Sequence, residues 1–190
     1  EGRLAYEITG SSCDGWSINY RFASRYVQAE GNVQLNDTQL VSWEAGDGSE
    51  MRMNQKQYFD NKLTSENKIA LKRAAVDGEA DGEITLPAQK TFKLSADTLF
   101  PVLFQTRLLD EASSGKSRNT SLVYEGTDRE NPYRVISLIG KKKVSDENST
   151  DASLKDAAPL KSVPSWAITT SYYTAADNQA DQPLYQSHYN

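Results

Sequence analysis

The stretch Gly2-Arg-Leu-Ala-Tyr-Glu-Ile-Thr-Gly-Ser-Ser-Cys-Asp-Gly-Trp-Ser-Ile-Asn-Tyr-Arg-Phe22 decides the fold class. Leu4, Tyr6 and Ile8 alternate with polar or small neighbours, as do Trp16, Ile18, Tyr20 and Phe22. Apolar side chains at every second position place one face of a strand against a core. Between the two runs lies Gly10-Ser-Ser-Cys-Asp-Gly15, a connector made of turn-forming residues. The pair is predicted to be an antiparallel hairpin.

Outward from this hairpin the same period recurs. Strands are expected at Val33 to Leu35, Gln39 to Glu44 and Glu50 to Asn54, with turns at Asn36-Asp37 and Gly46-Asp47-Gly48. Ile84, Leu86, Phe92 and Leu94 suggest two short strands around Pro87. Further strands are expected at Leu122 to Glu125, Tyr133 to Ile139, Trp166 to Tyr173 and Leu184 to Tyr189. One segment departs from the pattern: Asp97 or Thr98 can cap a helix, Pro101 suits its first turn, and Gly115 can end it. A weaker helical stretch is expected from Ser65 to Ala75, and residues 141–161 are expected to form a polar, mobile loop. The fold expected is mostly β: a single domain over residues 1–190, built as a curved antiparallel β-spiral or open barrel-like sheet with one packed α-helix.

Composition bounds the function classes. No apolar run approaches the ~20 residues of a membrane-spanning helix. The net charge is −5, with acids and bases intermixed, which argues against nucleic acid. The basic run Lys141-Lys142-Lys143 leads straight into Asp146, Glu147 and Asp151 and reads as a solvated loop. The chain opens at Glu1 without an initiator Met or a leader's apolar core, so a removed leader or a fragment is expected.

No catalytic constellation emerges. His188, the one histidine, alternates in a strand beside Ser187 and Tyr189, and there is no Gly-x-Ser-x-Gly elbow. Asp77-Gly-Glu-Ala-Asp-Gly82 begins like a calcium loop, but Ala88 stands where the bidentate Glu is required. One Cys and one His do not make a zinc site without several carboxylates. Neither phosphate-cradling glycine pattern is present. No cofactor or metal is expected. Trp16, Trp43, Trp166 and the Tyr172-Tyr173 pair read as core or rim residues, with a ligand cleft as the alternative. Cys13, the single cysteine, is compatible with a buried small hydrophobe or with half of a disulfide.

The order of these blocks resembles the EipB family of periplasmic cell-envelope integrity proteins. The family's Gly-Ser-x-Cys-x-Gly-aromatic motif and its strand ending in Arg-Phe are matched by Gly10 to Trp16 and by Arg21-Phe22. Ser42-Trp43-Glu44 with Met51-Arg52-Met53, Leu99-Phe100-Pro101, Tyr124-Glu125-Gly126, Ile139-Gly140 and Pro164-Ser165-Trp166 are similar to later blocks. The resemblance implies a spiral sheet with a packed helix, a periplasmic address reached by export, and a role in envelope integrity. It implies that the family chain extends beyond both ends of this one, and that Cys13 has a disulfide partner beyond Asn190. Here, therefore, the thiol is expected to be free. Gly10 and Gly15 are expected to shape the turn that holds Cys13. Trp16, Trp43 and Trp166 are expected to anchor the core, and Arg21, Pro101 and Gly140 to be structural.

The function expected is that of a non-enzymatic, monomeric scaffold or binding module acting on an envelope protein or lipid partner. The alternatives are a carrier enclosing an apolar ligand or lipoprotein in a curved-sheet cavity, and a hydrolase with two facing carboxylates in a cleft.

Overall fold

The computed structural model describes residues 1–27, 31–75, 77–127, 130–144, 163–176 and 182–189. It is mostly β and antiparallel with one helix, as the alternation predicts. The chain divides into two compact units, the first Glu1–Leu103 with Tyr124–Pro132 and the second Phe104–Val123 with Tyr133–Asn190.

The first unit is built on seven strands paired in chain order: β1 (Gly2–Ser11), β2 (Gly15–Val27), β3 (Val33–Glu44), β4 (Glu50–Phe59), β5 (Lys62–Arg73), β6 (Ala80–Leu86) and β7 (Lys90–Leu94). The predicted hairpin is present, with Leu4 opposite Phe22, Tyr6 opposite Tyr20 and Ile8 opposite Ile18. β5 replaces the helix expected over Ser65 to Ala75. Ile69, Leu71 and Arg73 are buried there while Lys68, Ala70 and Lys72 are exposed, a two-residue period that settles the segment as strand. One face of the sheet buries Met51, Met53, Ile69, Leu71, Ala80, Ile84 and Leu94 with Phe100 and Tyr124. Tyr124 enters this core from the position immediately after the strand Arg118–Val123, and its N–H donates to the Leu99 carbonyl of the two-residue strand β8 (Thr98–Leu99).

Arg73 ties the loops of this unit together. Its guanidinium donates to the carbonyls of Gly48, Gly78, Ala96 and Thr98 and lies 4.8 Å over the ring of Phe100. Burial pushes its pKa down, against the opposing pull of Asp77 and Asp97.

Helix α1 (Pro101–Ser113) starts at Pro101, where the missing N–H costs nothing. Neither Asp97 nor Thr98 caps it, because the strand turn places Phe100 immediately before Pro101. Glu44 at the end of β3 supplies the cap instead. Its carboxylate accepts from the N–H of Val102 at 2.8 Å and of Leu103 at 2.9 Å.

In the second unit the helix ends as predicted at Gly115, whose φ is 81°. Gly115 N–H bonds the Ala112 carbonyl and Lys116 N–H the Glu111 carbonyl, the paired bonds of a Schellman end. The sheet order here is β12 (Tyr185–Tyr189), β11 (Pro164–Thr174), β10 (Tyr133–Val144) and β9 (Arg118–Val123). Tyr133, Tyr172 and Tyr185 form an aromatic cluster, with Tyr172 and Tyr185 stacked at 4.3 Å. Gly140 sits where the β10–β11 register shifts between Ile139 and Lys142. A Cβ there would lie 3.1 Å from the Ala167 carbonyl, so the bulge and the glycine belong together. Of the expected loop over 141–161, residues 141–144 continue β10, and the remainder lies outside the described residues.

Candidate binding surface

Register assigns each side chain of the long strands to a face. On the core-bearing face, the row Ile18, Ser42, Met53, Ile69 and Ile84 crosses the sheet from β2 to β6. β1, β2 and β3 continue beyond this row, and their alternation continues with them. The result is an apolar strip on the same face, with Leu4 60%, Tyr6 51%, Ile8 40% and Phe22 37% exposed. Tyr20 and Leu40, half-buried, join it to the core. Scattered exposed hydrophobes need no explanation, but a contiguous aromatic and aliphatic strip marks an interaction surface.

The opposite face is ionic. Glu50, Lys72, Asp81 and Lys93 are paired partners on four successive strands, so charge alternates in sign across the sheet. Around this row lies an open cleft of about 760 Å³, lined also by Arg52, Glu83 and Phe92. Two of its acids are matched to bases, Glu50 to Arg52 at 2.5 Å and Asp81 to Lys93 at 3.4 Å, while Glu83 accepts from Gln89 Nε2 at 3.2 Å. On the same face Arg21 meets Asp37 across the strands, Nη2 to Oδ2 at 2.7 Å, and holds that carboxyl below its ordinary pKa.

The glycine-flanked turn is tightly determined. Gly10 has φ 126°, and a Cβ there would lie 2.0 Å from the Gly15 carbonyl oxygen. Gly15 has φ 83°, and a Cβ there would fall 2.7 Å from the Trp43 ring. The Gly15→Ala protein is expected to be less stable by about 2 kcal/mol in urea unfolding, from the left-handed φ and the displaced indole together. Cys13 is exposed at this turn with a free thiol, and its N–H donates to Ser11 Oγ.

The tryptophans are not at the centre of the core. Trp16, Trp43 and Trp166 are each half-buried, and none belongs to the buried cluster. Trp43 alternates with buried Ser42 and Glu44, so it faces the other side, against Gly15 and 5.8 Å from the Arg52 guanidinium. Phe100 and Tyr124, both fully buried, are the anchors. They directly follow β8 and β9, and because their preceding residues Leu99 and Val123 are buried as well, a two-residue period does not single them out.

His188 has no carboxylate partner among the described residues. Its Nδ1 lies 2.7 Å from Thr169 Oγ1, its cross-strand neighbour on β11. Asp77 to Gly82 forms the β5–β6 turn and the start of β6, with Gly78 serving Arg73.

A family model described as EipB-like matches residues 1–190. The chain belongs to the EipB-like family. It is 26% identical over 186 residues to the cell envelope integrity protein EipB of Brucella abortus (strain 2308), covering 97% of this chain and 64% of that protein. The chain therefore spans about two thirds of the length of this curated relative. Among solved structures it is similar to a beta-barrel-like protein of a domain of unknown function from Brucella abortus, with a TM-score of 0.84 and 25% identity. That match covers 97% of this chain and 74% of the other. The similarity to a beta-barrel-like structure agrees with the mostly β fold expected from the sequence. Within it, β1 and β7 stand at the two ends of the first unit's sheet and do not pair with each other. No helix among the described residues is long and apolar enough to cross a membrane.

Proposed function

We propose that this protein contributes to cell-envelope integrity as a non-enzymatic scaffold or binding module. Its partner would be an envelope protein or lipid met on the strip Leu4, Tyr6, Ile8 and Phe22. The exposure of that strip, on the face that elsewhere forms the core, carries the reading. The name of the Brucella relative supports the envelope role, and a periplasmic address is part of the same proposal. Cys13, placed at an accessible turn, is available to the disulfide that the family resemblance implies.

The carrier reading is the weaker one. It calls for an apolar enclosure, whereas the cleft of about 760 Å³ in the first unit is open and lined by Glu50, Arg52, Lys72, Asp81, Glu83 and Lys93. The hydrolase reading is also the weaker one, since two of the carboxylates lining this cleft, Glu50 and Asp81, are paired with Arg52 and Lys93.

The test is genetic and structural together. In a host lacking the gene, the wild-type protein is expected to restore resistance to detergents and cell-wall inhibitors. A Leu4→Ser, Tyr6→Ser, Phe22→Ser variant is expected to unfold within a few degrees of the wild type, because these side chains are exposed, and to fail in complementation. Full complementation by a folded triple variant would remove the strip from the function. A normal envelope in the deletion host would remove the envelope role itself.

A further inference from the structure

Glu44 is buried, with 3% of its surface exposed, yet it carries a carboxyl group. Its register neighbours are Trp16 on β2 and Met51 on β4, both uncharged. On its remaining side stand the N–H groups of Val102 and Leu103. Arg73, the buried cation among the described residues of this unit, is occupied by four carbonyls and the Phe100 ring. No ion pair reaches Glu44 among the described residues, so its negative charge is opposed only by two amide dipoles and the helix N-terminus.

A carboxylate withdrawn from water without a cation favours its neutral form. We propose that Glu44 and the first turn of α1 form a proton-controlled joint, closed while the carboxyl is neutral and loosened when it ionises. Protonation surrenders one of the two N–H acceptors, because one oxygen then carries hydrogen. That loss is smaller than the relief of burying no charge. Burial raises the Glu44 pKa from 4.5 to about 7, outweighing the two backbone bonds that oppose it, and no charged side chain contributes to the shift.

The sign follows from linkage. In an opened joint Glu44 meets water and regains its ordinary pKa, so the closed form binds the proton more tightly. The closed form is therefore fully favoured below about pH 4.5 and loses that advantage as pH rises through about 7. A difference of this size corresponds to a change of up to ~300-fold in the opening constant. The joint tightens in acid.

Amide hydrogen exchange at Val102 and Leu103, followed by NMR from pH 4.5 to 8.5 and corrected for intrinsic exchange, tests this directly. The wild-type opening constant is expected to rise by ~100-fold or more toward pH 8.5. Glu44→Gln is expected to abolish the rise. His188→Gln, which leaves Glu44 and its two amide partners unchanged, should keep it. A pH-independent opening, an undiminished rise in Glu44→Gln, or its loss in His188→Gln would each overturn the proposal. Should Glu44→Gln not fold, the carboxyl carbon shift of Glu44 in the wild type decides alone. A midpoint near 7 supports the joint, and one below 5 removes it.

Discussion

Tyr124→Ala is expected to lower stability by about 3–5 kcal/mol, the range for truncating a fully buried aromatic side chain. Tyr124 has no exposed surface, packs with Phe92 at 5.5 Å between ring centroids, and joins a cluster drawn from β4, β5, β6 and β7. Its removal takes away apolar contact and leaves a cavity lined by side chains fixed on strands, which cannot collapse far. Its backbone N–H still bonds the Leu99 carbonyl in the variant, so the chain path should persist. Urea unfolding should show a lower midpoint with an unchanged slope. Tyr124→Phe keeps the ring and should cost only about 1 kcal/mol, the scale of one hydrogen bond. A small effect of the alanine change would mean that the core tolerates the void.

That residue also shows how far the sequence carries. Strand content, the hairpin over Gly2 to Phe22 and the helix from Pro101 to the Gly115 end were legible, because a period of two and the proline and glycine signals act locally. Ser65 to Ala75 was not, since Ile69, Leu71 and Arg73 form an inward set only if an arginine is allowed inside. The cap of α1 was not legible either. Glu44 is 58 residues from Val102, and no local rule connects a strand's last carboxyl with a distant helix. The apolar strip was half legible. Leu4, Tyr6 and Ile8 were assigned to one face, but alternation marks a face without stating what covers it.

Arg73→Met is the change with the widest structural reach. Four carbonyls converge on the guanidinium: Gly48 from the β3–β4 turn, Gly78 from the β5–β6 turn, and Ala96 and Thr98 from the segment leading to α1. Arginine suits this place because its donors form a rigid planar fork, and because its flat face stacks on Phe100. Methionine fills much of the stem's volume but donates nothing. At least two of the carbonyl bonds are buried, and each acceptor left without a donor costs about 1–3 kcal/mol. The expected loss is therefore about 3–5 kcal/mol, reduced by whatever is regained from no longer desolvating a cation. Arg73→Lys should recover part of it, since an ammonium keeps the charge but not the fork. The ordering wild type, Lys, Met in urea midpoint tests the geometry rather than the charge alone. If Lys matched the wild type, the charge would suffice and the fork would be incidental. If Met did, these loops would be held by their backbone turns, and Arg73 would be a passenger in the core.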